Sequence, residues 1–151
     1  MFDDAIQIRS VSFDTARYQL APGNRAFGLR LEREGGSRPN PFVQETLRLY
    51  AIDGNRLVPV LDNIVVMQSR GEWGTVCRGE FQKTTRTLAM DSRAHQGAAD
   101  IIATESVSGS VGKIRSDGQC EKHETRRDAA KIRLQYDRKE YVIPKDLKRL
   151  E

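Results

Sequence analysis

No stretch of this chain stays apolar for the ~18 residues that a membrane-crossing helix needs. The longest apolar run, LVPVLDNIVVM at 57–67, is broken by Asp62 and Asn63, so no transmembrane segment is expected. Cysteine and histidine are scarce, with two of each, and only Cys120 and His123 stand at knuckle spacing while Cys77 stands alone, whereas structural zinc sites pair ligands on two knuckles. No serine stands in a Gly-x-Ser-x-Gly elbow, so a hydrolytic triad has no local support. GSVGK at 109–113 fails as a phosphate loop, because Val107 stands where the first glycine belongs and Ile114 where the hydroxyl residue belongs. No Asp-x-Asp-x-Asp series marks a calcium loop. Neither sign of charge prevails, since 25 Lys and Arg face 21 Asp and Glu. That mixed surface calls for no nucleic-acid partner, and no cofactor is expected.

What is present is alternation. In RAFGLRLE (25–32), Phe27, Leu29 and Leu31 share one face against Gly28, Arg30 and Glu32, the period of a half-buried strand. AIQIRSVSF (5–13) and KIRLQY (131–136) repeat the pattern, and NIVVM (63–67) is apolar on both faces. TVCRGEF (75–81), KTTRTLAM (83–90) and ADIIATESV (99–107) add β-branched candidates. Loops are expected at 21–24, 33–41, 69–74 and 108–119, where Gly, Pro, Asn and Asp cluster. The expectation is a mainly β chain: a single antiparallel β-sandwich or barrel-like domain of about eight or nine short strands, with little helix. The one helical candidate, EKHETRRDAAKI at 121–132, is polar nearly all round.

The whole chain, 1–151, reads as one domain. Met1 and the closing Leu150-Glu151 read as residues added to an excised domain. The start, MFDDAIQIRS, lacks the basic and apolar regions of a secretory signal, so the protein either stays inside or is a mature domain with a new start.

LRLYAIDGNRLVPVL (47–61) predicts a hairpin, with a tight turn at Asp53-Gly54 or Gly54-Asn55 and with Leu47, Leu49 and Ala51 running back against Val58 and Val60. A weaker echo, IRLQYDRKEYVIP, follows near the end with no glycine in its turn, and both read as hairpins rather than as a functional repeat. Pro59 cannot donate to a ladder and marks an edge strand or strand end, which leaves room for a monomer or a weak dimer.

The cysteines allow three readings: one Cys77–Cys120 disulfide, two unrelated thiols, or a metal site built from Cys77, Cys120 and His123 with His95 as a fourth ligand. His95 and His123 otherwise sit in polar, loop-like surroundings. Trp73, the only tryptophan, lies between glycines in GEWG and is a contact anchor if exposed on a loop, whereas beside a disulfide a Trp more often packs into a sandwich core. With Arg38, Asn40 and Phe42 of the preceding loop it forms the expected partner-binding surface.

The run DTARYQLAPGNRAFGLRLE, then NPF, LRLYAIDGNRLVPVLDNIVV, GEW, and Cys77 followed by RTLAM, resembles a group of exported bacterial domains of unknown function. The resemblance implies a periplasmic or secreted location, a β-rich fold and a Cys77–Cys120 bridge; it transfers no catalytic residue. The functional expectation is therefore a non-enzymatic module that binds a protein or cell-envelope polymer. The alternatives are a cytoplasmic location and a small hydrolase or carbohydrate-active enzyme drawing on carboxylates such as Glu45, Asp62, Glu72 and Asp100.

Overall fold

The structure, a computed structural model, describes residues 6–74 and 77–147, leaving aside the side chains at 128, 129 and 146. Met1, Leu150 and Glu151 lie outside the described residues, as do Thr75 and Val76 at the start of one expected strand. Among the described residues seven strands follow one another as an antiparallel meander: β1 (Gln7–Ala21), β2 (Asn24–Gly36), β3 (Pro41–Asp53), β4 (Arg56–Trp73), β5 (Gly79–His95), β6 (Ala98–Ile114) and β7 (Cys120–Leu134). They form one sheet in chain order, and the sheet does not close: β1 and β7 are its two ends. A bridge between Tyr136 and Tyr141 adds one short pairing beyond β7. No helix among the described residues is long and apolar enough to cross a membrane.

The chain is mainly β, as expected, but its strands run from 13 to 18 residues and are not short. The glycines explain the difference. Gly71 and Gly112 mark no loop: a Cβ on Gly71 would strike the ring of Phe81, and one on Gly112 the carbonyl of Cys77. These glycines admit a neighbour across the sheet and leave the strand unbroken. The polar segment 121–132 is likewise strand, because it pairs with β6 along its length, and a polar pattern suits a strand exposed on both faces.

Turn chemistry sets the hairpins. Pro22-Gly23 joins β1 to β2, with Gly23 at φ +74°, the positive value that a Pro-Gly turn requires at its second central residue. Asp53 pairs with Arg56, so the turn residues are Gly54 and Asn55, with Gly54 at +62°. Gln96 and Gly97 both take positive φ between His95 and Ala98, the signature of a two-residue turn matched to sheet twist. The glycine-free turn after Leu134 puts Arg138 at φ +86°, while the Asp137 carboxylate accepts from the amides of Lys139 and Glu140. Asparagine-like capping by Asp137 replaces the missing glycine.

β4 and β5 pair only between Met67–Trp73 and Gly79–Thr85. Past that point they part, and Arg86 spans the split, donating to the Val65 carbonyl at 2.8 Å and to Glu105 at 2.9 Å. The C-terminal segment enters the gap: the Tyr141 amide donates to the Val60 carbonyl at 2.7 Å, and its hydroxyl donates to the Ala99 carbonyl at 2.6 Å. Pro59 lies on this part of β4, where β5 offers no partner; β4 is nonetheless the fourth of seven strands and Pro59 pairs with Tyr50 within it, so the expected edge strand or strand end is not what the proline marks. The core fills the same end of the sheet, with Leu47, Leu49, Leu61, Ile64, Ile101, Leu134 and Leu147 fully buried. Each contributes roughly 1.5–3 kcal/mol of transfer free energy. Toward the other end the sheet runs on with little apolar cover, and there Cys77, in the β4–β5 turn, is bonded to Cys120 at the start of β7.

Candidate functional site

The apolar face of β2 does not point inward. Gly28 is buried, and a Cβ there would lie 2.7 Å from the Asp14 Cβ and 2.9 Å from Leu47 Cδ1. It therefore faces the core with Leu47 and Leu49, and Arg30 lies on the same side opposite Leu47. That inward charge is matched: Arg30 donates to Asp14 at 2.8 Å and to Glu45 at 2.5 Å, and the Tyr18 hydroxyl donates to Asp14 at 2.6 Å. Burial works to raise the Asp14 carboxyl, but the Tyr18, Ala16 and Arg30 hydrogen bonds outweigh it and hold Asp14 below the usual carboxylate range.

Phe27, Leu29 and Leu31 consequently lie on the opposite face, half-buried, paired with the half-buried Tyr50 and Arg48 and with the buried Thr46 of β3. β1 extends this outer face, because Val11 pairs with Leu31 and Phe13 with Leu29. A register shift at Arg9 keeps Ile8 on the same side, opposite Arg33. Ile8, Val11 and Phe13 are 63%, 57% and 73% exposed. Phe13, Phe27 and Tyr50 form a row of rings with centroids 6.4 and 5.9 Å apart, which Ile52 and Leu57 prolong at the exposed β3–β4 hairpin. Contiguous exposed apolar surface of this kind marks interaction sites in proteins that stay in solution.

The surface expected from sequence stands elsewhere, at the disulfide end. Trp73 is exposed and meets the Phe81 ring edge-on at 4.7 Å, and its amide donates to the Pro39 carbonyl at 2.6 Å, which ties it to the 37–40 turn. Asn40 lines a small cleft of about 260 Å³ with Arg70, Glu72 and Glu80. Phe42 lies under the Arg70 guanidinium at 6.0 Å, and Arg38 is exposed in the turn. So Trp73, Asn40 and Phe42 come to one corner of the sheet. Sequence reasoning missed the larger stripe on β1 and β2. Its signal was there, in the small residue at Gly28 and in Arg30, where an inward face would be expected to carry bulk.

The four carboxylates singled out for catalysis are held separately. Glu45 is bound by Arg30, Asp62 by Arg48 at 2.8 Å, and Glu72 stands opposite Glu80 on the neighbouring strand. Asp100 is fully buried, with His95 Nδ1 2.7 Å from one oxygen and Arg133 2.7 Å from the other; Arg133 also reaches Asp91 at 2.5 Å. Burial acts to raise the Asp100 carboxyl, but His95 and Arg133 prevail and hold it low. His95 is half-exposed, with Nε2 as its remaining ring nitrogen. The disulfide removes both cysteines from any Cys120–His123 metal site, and no group of three His, Cys, Asp or Glu gathers as a metal site among the described residues.

Compared with known proteins, the chain matches no family model, no curated protein and no solved structure.

Proposed function

We propose that this chain is a non-enzymatic interaction module that works outside the cytoplasm, periplasmic or secreted as in the exported bacterial domains it resembles, and that it binds a protein through the outer face of β1 and β2. The observation that carries this reading is the solvent-open row of Ile8, Val11 and Phe13, backed by Phe27 and Tyr50. A partner strand or helix laid across it would remove that apolar surface from water, the dominant driving force of association. The Cys77–Cys120 bridge supports an oxidising compartment, where such bonds persist. We read the sheet as a sandwich of two leaves, β1–β4 and β5–β7, from the parting of β4 and β5 beyond Met67 and Thr85 and from the core that fills the space. The Trp73, Arg38, Asn40 and Phe42 corner serves as a secondary contact in this account.

A photoreactive side chain at position 13, compared with one at position 122 on the polar β7 edge, tests the proposal in an envelope extract. Discrete adducts from position 13 alone support it; equal labelling at both positions removes its basis.

A hydrolase is the second reading, favoured by one observation: a buried carboxylate, Asp100, orients a half-exposed imidazole, His95. This is the geometry by which an aspartate fixes a general base. Turnover of ester or glycoside substrates that disappears in His95→Ala would establish it, and absence of turnover in the native chain would dismiss it.

A further inference from the structure

The two ends of the sheet are unlike. The exposed stretch of β7 carries Glu121, Lys122, His123, Glu124, Arg126 and Arg127, the dense charge by which sheet edges are protected from pairing. β1 carries charge only at Arg9, Asp14 and Arg17, which leaves its middle unguarded. Its Arg9 is turned back onto Glu32 and Glu34 of β2, at 3.4 and 3.6 Å, and its Asp14 is held by Arg30 and Tyr18. Between them Ser10, Val11, Ser12 and Phe13 are exposed and uncharged, on a strand that no other strand among the described residues pairs on its far side.

We infer that the free edge of β1 docks against β1 of a second copy of this chain, antiparallel, with Ser12 on the twofold axis. The inference rests on the outer face of β1 being the working surface and names its first partner. The register and the side-chain pattern of β1 carry it. The regular part of β1 is short and symmetric: register shifts bracket it at Ile8/Ser10 and at Asp14/Tyr18, so the unbroken stretch is Ser10–Asp14, and its centre is Ser12. Pairing about that centre sets Val11 opposite Phe13 of the second copy and Phe13 opposite its Val11, so apolar side chains meet on the outer face, twice. Ser10 then faces Asp14, and no like charges oppose one another. A shift of the axis by one residue, to Val11, would instead set Arg9 against Phe13.

Polarity also chooses this partner over head-to-tail growth. Joining β1 of one copy to β7 of the next would lay Val11 and Phe13 beside a charged edge, whereas the twofold arrangement matches like with like and closes at two copies. The result joins two seven-stranded sheets edge to edge and doubles the apolar face presented to any further partner.

The test uses the full chain. Sedimentation of the wild-type protein without any partner should show a concentration-dependent monomer–dimer equilibrium, and Val11→Lys should shift it to monomer while melting where the dilute, monomeric wild type melts. Ser12→Cys places two thiols on residues directly opposite, with Cα atoms about 5 Å apart. Ser10→Cys, in the same register, leaves its thiols four residues apart along the strands, at about 13 Å. Under mild oxidation with diamide, Ser12→Cys should form a covalent dimer at least ~10-fold more than Ser10→Cys does. A wild-type chain that stays monomeric at all concentrations overturns the inference, as does a dimer that survives Val11→Lys or that links through Cys at position 10 in preference to 12. Because no partner protein is present, failure here is separate from failure of the binding reading, which only adducts of position 13 with a chain other than its own report.

Discussion

The ring of Phe13 lies 6.4 Å from that of Phe27, tilted by 55°, while Phe13 keeps 73% of its surface open to water. A side chain this exposed contributes little to folding, yet it is aromatic and stands in a row. Phe13→Lys should therefore change the unfolding free energy by no more than ~0.5–1 kcal/mol, as surface substitutions and lost aromatic pairs do. Urea denaturation checks this, together with capture of an envelope partner, which the same substitution should abolish.

Gly28 should tolerate no side chain. A Cβ there meets the Asp14 Cβ at 2.7 Å and Leu47 at 2.9 Å, and neither can yield, since Asp14 is pinned by Arg30 and Tyr18 and Leu47 is fully buried. Gly28→Ala is expected to cost ~1–3 kcal/mol by overpacking. Gly97→Ala serves as the contrast, because nothing lies within 4 Å of its Cβ and only its positive φ resists the substitution. Thermal melts of the two variants measure the difference.

Much of this was legible in the sequence and some was not. Alternation and turn residues gave the strands and the Asp53–Arg56 hairpin, since both are local effects. The direction of β2 was not legible from alternation, which reports that two faces differ but not which is inside. What turned β2 over is Arg30, made acceptable inside by Asp14 and Glu45, sixteen and fifteen residues away. The separation of β4 from β5 was hidden for the same reason: it depends on Tyr141 reaching Val60 across the fold. The candidate corner at Trp73 was found because a lone tryptophan between glycines is conspicuous; the β1 stripe resembled ordinary core pattern. Two cysteines in 151 residues allowed the bridge without requiring it.

Stability should fall at both extremes of pH. The carboxyls of Asp14 and Asp100 are held below their ordinary 3.8, so the stability they contribute is complete above that value and is lost as pH drops through their folded values. Burial raises the hydroxyls of Tyr18 and Tyr141 above their ordinary 10.0, so their contribution is complete below pH 10.0 and declines as pH rises past it. A plateau between about pH 4 and pH 10 is expected in a melting series. Asp100→Asn should lower the plateau, by on the order of 5 °C, because Arg133 and His95 lose their shared anion, and should also flatten the acid limb.

Reduction should loosen the disulfide end of the sheet first. The Cys77–Cys120 link spans 43 positions, a loop for which the chain-entropy treatment gives about 4 kcal/mol. The core lies at the opposite end, so Cys77→Ser with Cys120→Ser should lower global stability while hydrogen exchange speeds up mainly at 70–82 and 108–125. Intact mass after alkylation should rise for both thiols only when the protein is reduced beforehand.

We propose the outer face of β1 and β2, rather than the Trp73 corner, as the working surface. Immobilised chain, exposed to a solubilised envelope fraction, measures it directly when wild type, Val11→Lys with Phe13→Lys, and Trp73→Ala are compared for saturable capture. The double lysine variant should lose capture while Trp73→Ala retains most of it. Loss in Trp73→Ala with capture intact in the double variant would contradict the account and move the site to the disulfide end of the sheet.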